Sequence, residues 1–317
     1  MAGIAVQRFE GLGTVPPGFG PTAITVGKFD GVHLGHRGGL DQLAALATDR
    51  GLTPTVVTFD RNPLQLLAPE RCPIALVSNA QRAELLGRAG IAAVLELEFT
   101  EQLSSWPPTE FVQRVLVDAL QTRLVLAGAD FRFGARGAGD IPLLRELGDA
   151  AGFEIVLIDE VRLGSERVSS TAIRELLAAG RVREAAARLG RNHRVRSTVV
   201  HGDAIGRELG FPTANLDPTM EGFLPADGVY AAWAYAEGGR YPTALSIGNN
   251  PTFEGVPDRQ AEAHIIDQKL DLYGKPIEVE FVEYIRPMKK FDTVDDLIAA
   301  LAADVVRIRD LLAAEPS

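Results

Sequence analysis

The sequence predicts an α/β domain built on a doubly wound parallel sheet, followed by a β-rich domain that ends in a helix. Three observations carry this expectation. Up to about residue 187, short β-branched apolar runs alternate with amphipathic stretches, as in strands buried on both faces and joined by crossover helices. Beyond it, strand-like runs follow one another across Gly- and Pro-bearing turns. At 317 residues, the chain has room for two domains of ordinary size.

Residues 22–26 (TAITV), 54–59 (PTVVTF), 92–97 (AAVLEL), 123–127 (RLVLA) and 153–158 (FEIVLI) read as buried strands. Apolar residues at three-and-four spacing predict helices over 36–49, 79–89, 108–120 and 140–151, with two more near 170–179 and 181–189. The texture then changes to strands at 193–200, 229–236, 241–247, 260–267 and 277–285, a barrel or sandwich. A long helix at 293–312 closes the chain, with Thr293 as N-cap and acidic residues in its first turn. The domain boundary is expected between residues 186 and 187. The nearby Arg188, Arg191, Arg194 and Arg196 read as a solvated junction. Repeats and low-complexity tracts are absent.

Composition narrows the class. Charged residues are 23% and hydrophobic residues 46%, the balance of a folded soluble domain. The formal net charge is −10, with 18 basic and 22 acidic residues up to position 186 and 14 and 20 after it. Neither part is basic, so nucleic-acid and membrane-surface partners are not expected. Cys72 is the only cysteine, which excludes an internal disulfide and a cysteine zinc cage. The start carries no signal-peptide pattern and no stretch nears the roughly 20 apolar residues of a membrane helix. A cytoplasmic enzyme acting on small molecules is expected; nothing in the sequence sets an oligomeric state.

The first candidate site is the segment GKFDGVHLGH at 27–36, between the first strand and the first long helix. A helix N-terminus offers unpaired N–H groups and partial positive charge to an anion. Gly27, Gly31 and Gly35 allow close backbone approach, and His33 and His36 can donate to phosphate oxygens. A histidine pair at a turn, or a His-x-x-His metal half-site, is the plainer alternative. A Walker-type phosphate loop is absent. The VSSTAIR segment at 168–174 opens a helix with three hydroxyls and Arg174 in its first turn. Alone it reads as ordinary capping. Beside the first motif, it reads as a second wall of a triphosphate site with Arg174 as clamp.

The second candidate site is HGDAIGRELGFPTAN at 201–215. A hairpin loop would explain its glycines. Thr213 and Asn215, two apart beyond a Gly-rich loop, also offer oxygen ligands suited to Mg²⁺, and the loop N–H groups could cradle phosphates. Alternation along 260–267 puts Glu262, His264 and Ile266 on one strand face, with Glu262 as a candidate base.

Taken together, these segments resemble known families. GKFDGVHLGH with VSSTAIR resembles the HxGH nucleotidyltransferases. With GADFRFG at 128–134, it looks like the adenylyltransferase half of the prokaryotic bifunctional riboflavin kinase/FAD synthetase. That resemblance implies that Gly27, Phe29, Asp30, His33, His36, Ser170, Thr171 and Arg174 hold ATP, with His33, His36 and Arg174 acting in catalysis. Asn62, Asp130 and Phe131 would lie on FMN, Asn62 standing where the family often has histidine in Phe-Asp-Pro-His-Pro. PTAN after the Gly-rich loop is similar to the signature of riboflavin kinases, a family of six-stranded antiparallel barrels. PADGVY, GNNPTF, DLYG and IRPMKKF at 225–230, 248–253, 271–274 and 285–291 match it too. By that resemblance Gly202, Gly206, Arg207 and Gly210 form a phosphate loop, Thr213 and Asn215 hold Mg²⁺, and Glu262 is the general base. The expected function is phosphorylation of riboflavin to FMN by ATP, then adenylylation of FMN to FAD with release of pyrophosphate. The alternatives are a catalytically inactive flavin-binding regulator and a nucleotidyltransferase for another phosphorylated acceptor.

Overall fold

The structure, a computed structural model, describes residues 6–158, 162–163, 166–202, 206, 209–248, 259–268 and 270–315. The chain forms two compact units, 1–169 and 170–317. The first contains strands β1 (Gln7–Glu10), β2 (Thr22–Val26), β3 (Thr53–Phe59), β4 (Ala93–Leu97), β5 (Thr122–Gly128) and β6 (Glu154–Ile158). Its helices are α1 (Leu34–Arg50), α2 (Leu64–Leu67), α3 (Asn79–Arg88), α4 (Glu101–Ser105), α5 (Pro108–Phe111) and α6 (Ile141–Ala151). The short strands β7 (Arg162–Leu163) and β8 (Glu166–Arg167) pair with each other.

The six strands β1 to β6 form one sheet in the order β1-β4-β3-β2-β5-β6, with every pairing parallel. Alternate residues of the inner strands β4, β3, β2 and β5 feed separate cores. Ile24, Val57, Leu95 and Val125 pack with Phe111, Leu116 and Phe133. Ala23, Val56, Val94 and Leu124 pack with Leu40, Leu43 and Leu86. Both faces are therefore covered, which is why these strands read as continuous apolar runs. The chain runs outward from β2 through β3 to β4 and then returns to β5 on the other side of β2. The carboxyl ends of β2 and β5 thus flank a topological switch point, where ligands of such sheets bind. The edge strand β1 escaped the sequence pattern because only Phe9 of its four residues is buried.

The second unit opens with α7 (Ser170–Ala178) and α8 (Val182–Leu189), followed by β9 (His193–Val200), β10 (Ala214–Leu216), β11 (Gly228–Ala236), β12 (Gly239–Gly248), β13 (Gln260–Ile265), β14 (Pro276–Arg286) and α9 (Val294–Ala313). The strands close an antiparallel barrel in the order β10-β13-β12-β11-β14-β9. Packing places α7 and α8 with this barrel. The Ala226 N–H donates to the Leu177 carbonyl at 2.9 Å, and α8 lies on β9 and β14. Compactness therefore divides the chain before α7, ahead of the boundary expected between residues 186 and 187.

One face of β11 lies under α9, where Val229 and Ala231 meet Ile308 and Leu312. The alternate residues Tyr230, Ala232 and Ala234 are fully buried on the other face. Thr293 caps α9 by accepting from the Asp296 N–H at 3.1 Å, and Asp295 and Asp296 occupy the first turn. Arg194 and Arg196 correct the solvated-junction reading. Both lie on β9, and Arg194 pairs with Glu280 and Glu278 of β14 at 2.6 Å each. Their partners are too distant in sequence to be seen as a charge pattern. The sixth barrel strand, β10, is three residues long and begins within the PTAN motif.

Candidate active sites

The first site forms at the carboxyl end of β2. Gly27 N–H still donates to the Val57 carbonyl at 3.0 Å, after which the chain leaves the sheet through a tight loop. Phe29 and Val32 both have positive φ, 48° and 40°, which is uncommon for any side chain and strained for a β-branched one. The strain is contained by burial. Both side chains join the core under α1, and the Phe29 ring lies 5.2 Å from His36. Phe29 thus supports the loop from below, and a Cβ on Gly27 would come within 2.9 Å of its ring.

His33 is the N-cap residue of α1, and its ring stacks on that of His36 with centroids 3.7 Å apart and planes 17° from parallel. The stack requires Gly35. A Cβ there would lie 3.0 Å from the His33 ring and from the Val168 carbonyl. Burial, and secondarily the neighbouring His33, pushes the His36 imidazole down to about 3. It is neutral at pH 7, with a buried Nδ1 that has no hydrogen-bond partner among the described residues. A buried polar atom without a protein partner, near a helix N-terminus, is a group that a bound anion would satisfy. Among the described residues, no group of three or more His, Cys, Asp or Glu is placed to hold a metal ion.

Asp30 points across the fold, its Oδ1 accepting from the Leu76 N–H at 2.8 Å. Asn62 follows β3, the strand beside β2, and its Oδ1 accepts from the Leu64 N–H at 3.1 Å, turning the chain into α2. Both residues line a cavity of about 480 Å³ together with Lys28, Asn79 and Arg82. Asp130 and Phe131 follow β5 on the other side of β2. The Phe131 ring stacks 5.6 Å from Phe133, while Asp130 is exposed. The loops bearing Gly27, His33, Asn62, Asp130 and Phe131 thus leave the same edge of one sheet. Ser170 opens α7, with Thr171 and Arg174 in the residues that follow, in the second unit. Sequence reasoning passed over Arg82. Its signal was a basic residue on the buried stripe of α3, beside Ala83 and one turn before Leu86.

In the barrel, β10 and β13 pair so that Asn215 lies opposite Glu262. The Thr213 hydroxyl donates to Glu262 Oε2 at 3.1 Å. Since that proton is committed, the lone pairs of Thr213 are what it can offer a cation. Glu262 and His264 are half-buried on the side of β13 opposite buried Ala261 and Ala263; Ile266 lies past the end of the strand and is buried. The His264 Nδ1 lies 2.9 Å from the Pro212 carbonyl, fixing the chain just before Thr213.

Gly202 is held against Asn215 so closely that a Cβ would overlap its carboxamide. The Gly206 carbonyl accepts from the Phe211 N–H at 2.8 Å, and Gly210 turns with φ 84°. Arg207 lies outside the described residues, as do residues 249–253 of the GNNPTF segment. A cavity of about 510 Å³ opens beside Thr213, lined also by Leu270, Asp271 and Tyr273. Thr213 and Asn215, two oxygen donors beside a glycine loop, are of the residue types that would hold a divalent cation such as Mg²⁺.

The two units match two separate family models. Residues 17–172 match FAD synthetase and residues 189–312 match riboflavin kinase. The bifunctional riboflavin kinase/FMN adenylyltransferase of Escherichia coli strain K12 is 36% identical over 288 residues, 90% of this chain and 91% of that protein. The protein of the same description from Pseudomonas fluorescens is 35% identical over 308 residues, 97% of this chain and 98% of the relative. Among solved structures, one described as a macrolide-efflux protein from Streptococcus pneumoniae superposes with a TM-score of 0.85 at 31% identity. It covers 96% of this chain and 99% of its own. Among the described residues, no helix is long and apolar enough to cross a membrane. With an HxGH loop at the switch point of one unit, a Thr213–Glu262 pair in the barrel of the other, and relatives aligned across both, the chain belongs to the bifunctional riboflavin kinase/FMN adenylyltransferase family.

Proposed function

We propose that this protein phosphorylates riboflavin to FMN with ATP and then adenylylates FMN to FAD, releasing pyrophosphate. The observation that carries this reading is that each unit holds a different cluster of polar side chains: the His33–His36 stack at the α1 N-terminus in one, and the Thr213–Glu262 hydrogen bond in the other. In the barrel, the Glu262 carboxylate takes the proton of the ribityl 5′-hydroxyl as that oxygen attacks the γ-phosphorus of ATP, and ADP leaves. Thr213 orients Glu262 by its hydroxyl donation, and with Asn215 it would hold Mg²⁺, which when bound screens phosphate charge. The Gly202, Gly206, Arg207 and Gly210 loop would surround those phosphates.

In the α/β unit, no side-chain nucleophile is needed. An FMN phosphate oxygen attacks the α-phosphorus of ATP, and the bond to the pyrophosphate oxygen breaks. His33 and His36 donate hydrogen bonds to phosphate oxygens as charge accumulates, beside the α1 N-terminus. By the family motif, Gly27 and Asp30 line the ATP loop, and Ser170, Thr171 and Arg174 are ATP-binding residues. Asn62, Asp130 and Phe131 contact FMN. The functional division lies between residues 186 and 187, and the protein works in the cytoplasm on small molecules, without nucleic-acid or membrane partners. An inactive flavin-binding regulator would have no need of Glu262 placed on Thr213, and a nucleotidyltransferase for another acceptor would have no use for the barrel.

Two substitutions test the assignment. His33→Ala is expected to lower FMN adenylylation by about 10²–10³ and spare riboflavin phosphorylation, as loss of one preorganised donor does. Glu262→Gln is expected to lower phosphorylation by about 10²–10⁴ and spare adenylylation. Both activities falling together in either variant contradicts the separation of sites.

A further inference from the structure

Arg82 on α3 is nine-tenths buried, with 10% of its side chain exposed. Its Nη2 donates to the Phe59 carbonyl at 2.7 Å and lies 3.5 Å from Glu96 Oε1. Its Nη1 donates to the Lys28 carbonyl at 3.4 Å. That carbonyl also accepts from the Thr58 hydroxyl at 3.3 Å. Glu96, 3% exposed, is shared with Arg8 at 2.8 Å. Burial holds the Arg82 guanidinium below its ordinary value, against the opposing pull of Glu96 and, more weakly, Asp30.

A buried guanidinium is costly where an apolar side chain would pack as well, and its neighbours Ala83 and Leu86 show that this face of α3 accepts apolar residues. What an apolar side chain cannot do is hold two main-chain carbonyls. The first, at Lys28, precedes Phe29, where the nucleotide loop enters positive φ. The second, at Phe59, ends β3, from which Asp60 to Asn62 depart. Strained backbone persists only where its surroundings over-determine it. Arg82 also lines the cavity of about 480 Å³ that Asp30 and Asn62 share.

We propose that Arg82 is a positioning residue for adenylyl transfer: it ties the strained nucleotide loop and the segment leading to Asn62 to one buried cation, and Glu96 holds that cation in place. The inference rests on the adenylyltransferase reading of this unit. Riboflavin phosphorylation, in the other unit, serves as an internal control.

The experiment compares full-length wild type, Arg82→Met, Arg82→Lys and the double variant Arg82→Met/Glu96→Gln. FMN adenylylation, riboflavin phosphorylation and thermal unfolding are measured on each. Arg82→Met is expected to lose about 30-fold in kcat/KM for adenylylation, mostly in kcat, the scale of a lost charge-assisted hydrogen bond that aligns reacting groups. Phosphorylation should stay within about twofold, and Arg82→Lys, which can still donate to carbonyls, should recover much of the loss. The double variant removes both buried charges, so it should regain thermal stability without regaining adenylylation. If Arg82→Met fails to fold, the double variant carries the comparison. Adenylylation by Arg82→Met within about twofold of wild type, or full recovery in the double variant, overturns the proposal. Absence of FAD formation by the wild type overturns the adenylyltransferase reading itself, and this proposal with it.

Discussion

Burial at the His33–His36 stack has consequences that can be read in two ways. With the His36 imidazole pushed down to about 3, it meets ATP as a neutral hydrogen-bond donor and not as a cation. The kcat/KM profile for ATP in adenylylation is therefore expected to show no step from His36 between about pH 5 and 8, since that profile reports the free enzyme. A step that disappears in His36→Asn contradicts this. The same burial affects stability. His193, in the other unit, is pushed down to about 4, chiefly by burial and against its contact with the Phe223 carbonyl. Unfolded, both residues take up a proton near 6.5. Between that value and their folded values the unfolded chain binds more protons, so stability is full above about 6.5 and falls as the pH drops. Thermal unfolding should move to lower temperature from pH 6.5 downward, and an unchanged midpoint at pH 5 contradicts the burial of these neutral imidazoles.

Elements set those residues in place, and one is held by a pair that can be tested. Asp304 of α9 is 8% exposed and accepts from Arg286 Nε at 2.9 Å and Nη2 at 2.7 Å, fastening the helix to β14. Asp304→Ala is expected to destabilise the barrel unit by about 2 kcal/mol, below the range for a fully buried pair because Arg286 is partly solvated. Urea denaturation checks this, and a loss under about 0.5 kcal/mol, the ordinary range for surface changes, would show the pair to be dispensable. Much of this level was legible in the sequence. The strands β2 to β5 declared themselves because both of their faces are buried, β6 through its apolar run Ile155–Ile158, and α9 through Thr293 and the acidic turn after it. β1 and β10 did not, because one buried residue in four, or three residues in all, leaves no period to read. The pairs Arg194–Glu280 and Arg82–Glu96 were invisible for a different reason: partners that meet across strands, or between a helix and a strand, leave no local pattern. For the sites, motif spacing made His33, His36, Thr213 and Asn215 candidates, and strand alternation with the family resemblance made Glu262 one. The contact of Asp30 with the Leu76 N–H and the tethering of the Lys28 carbonyl depend on the tertiary fold alone.

At the scale of the whole molecule, two units of unlike architecture each carry one step, and the product of the barrel is the substrate of the α/β unit. One chain is expected to perform both steps in that order. The most direct measurement is a chromatographic time course of riboflavin, FMN and FAD with purified protein, ATP and Mg²⁺. FMN is expected to rise first and FAD to follow at its expense. FMN accumulating without FAD contradicts the adenylyltransferase assignment. Riboflavin remaining untouched while supplied FMN becomes FAD contradicts the kinase assignment, and no turnover of either contradicts the account as a whole.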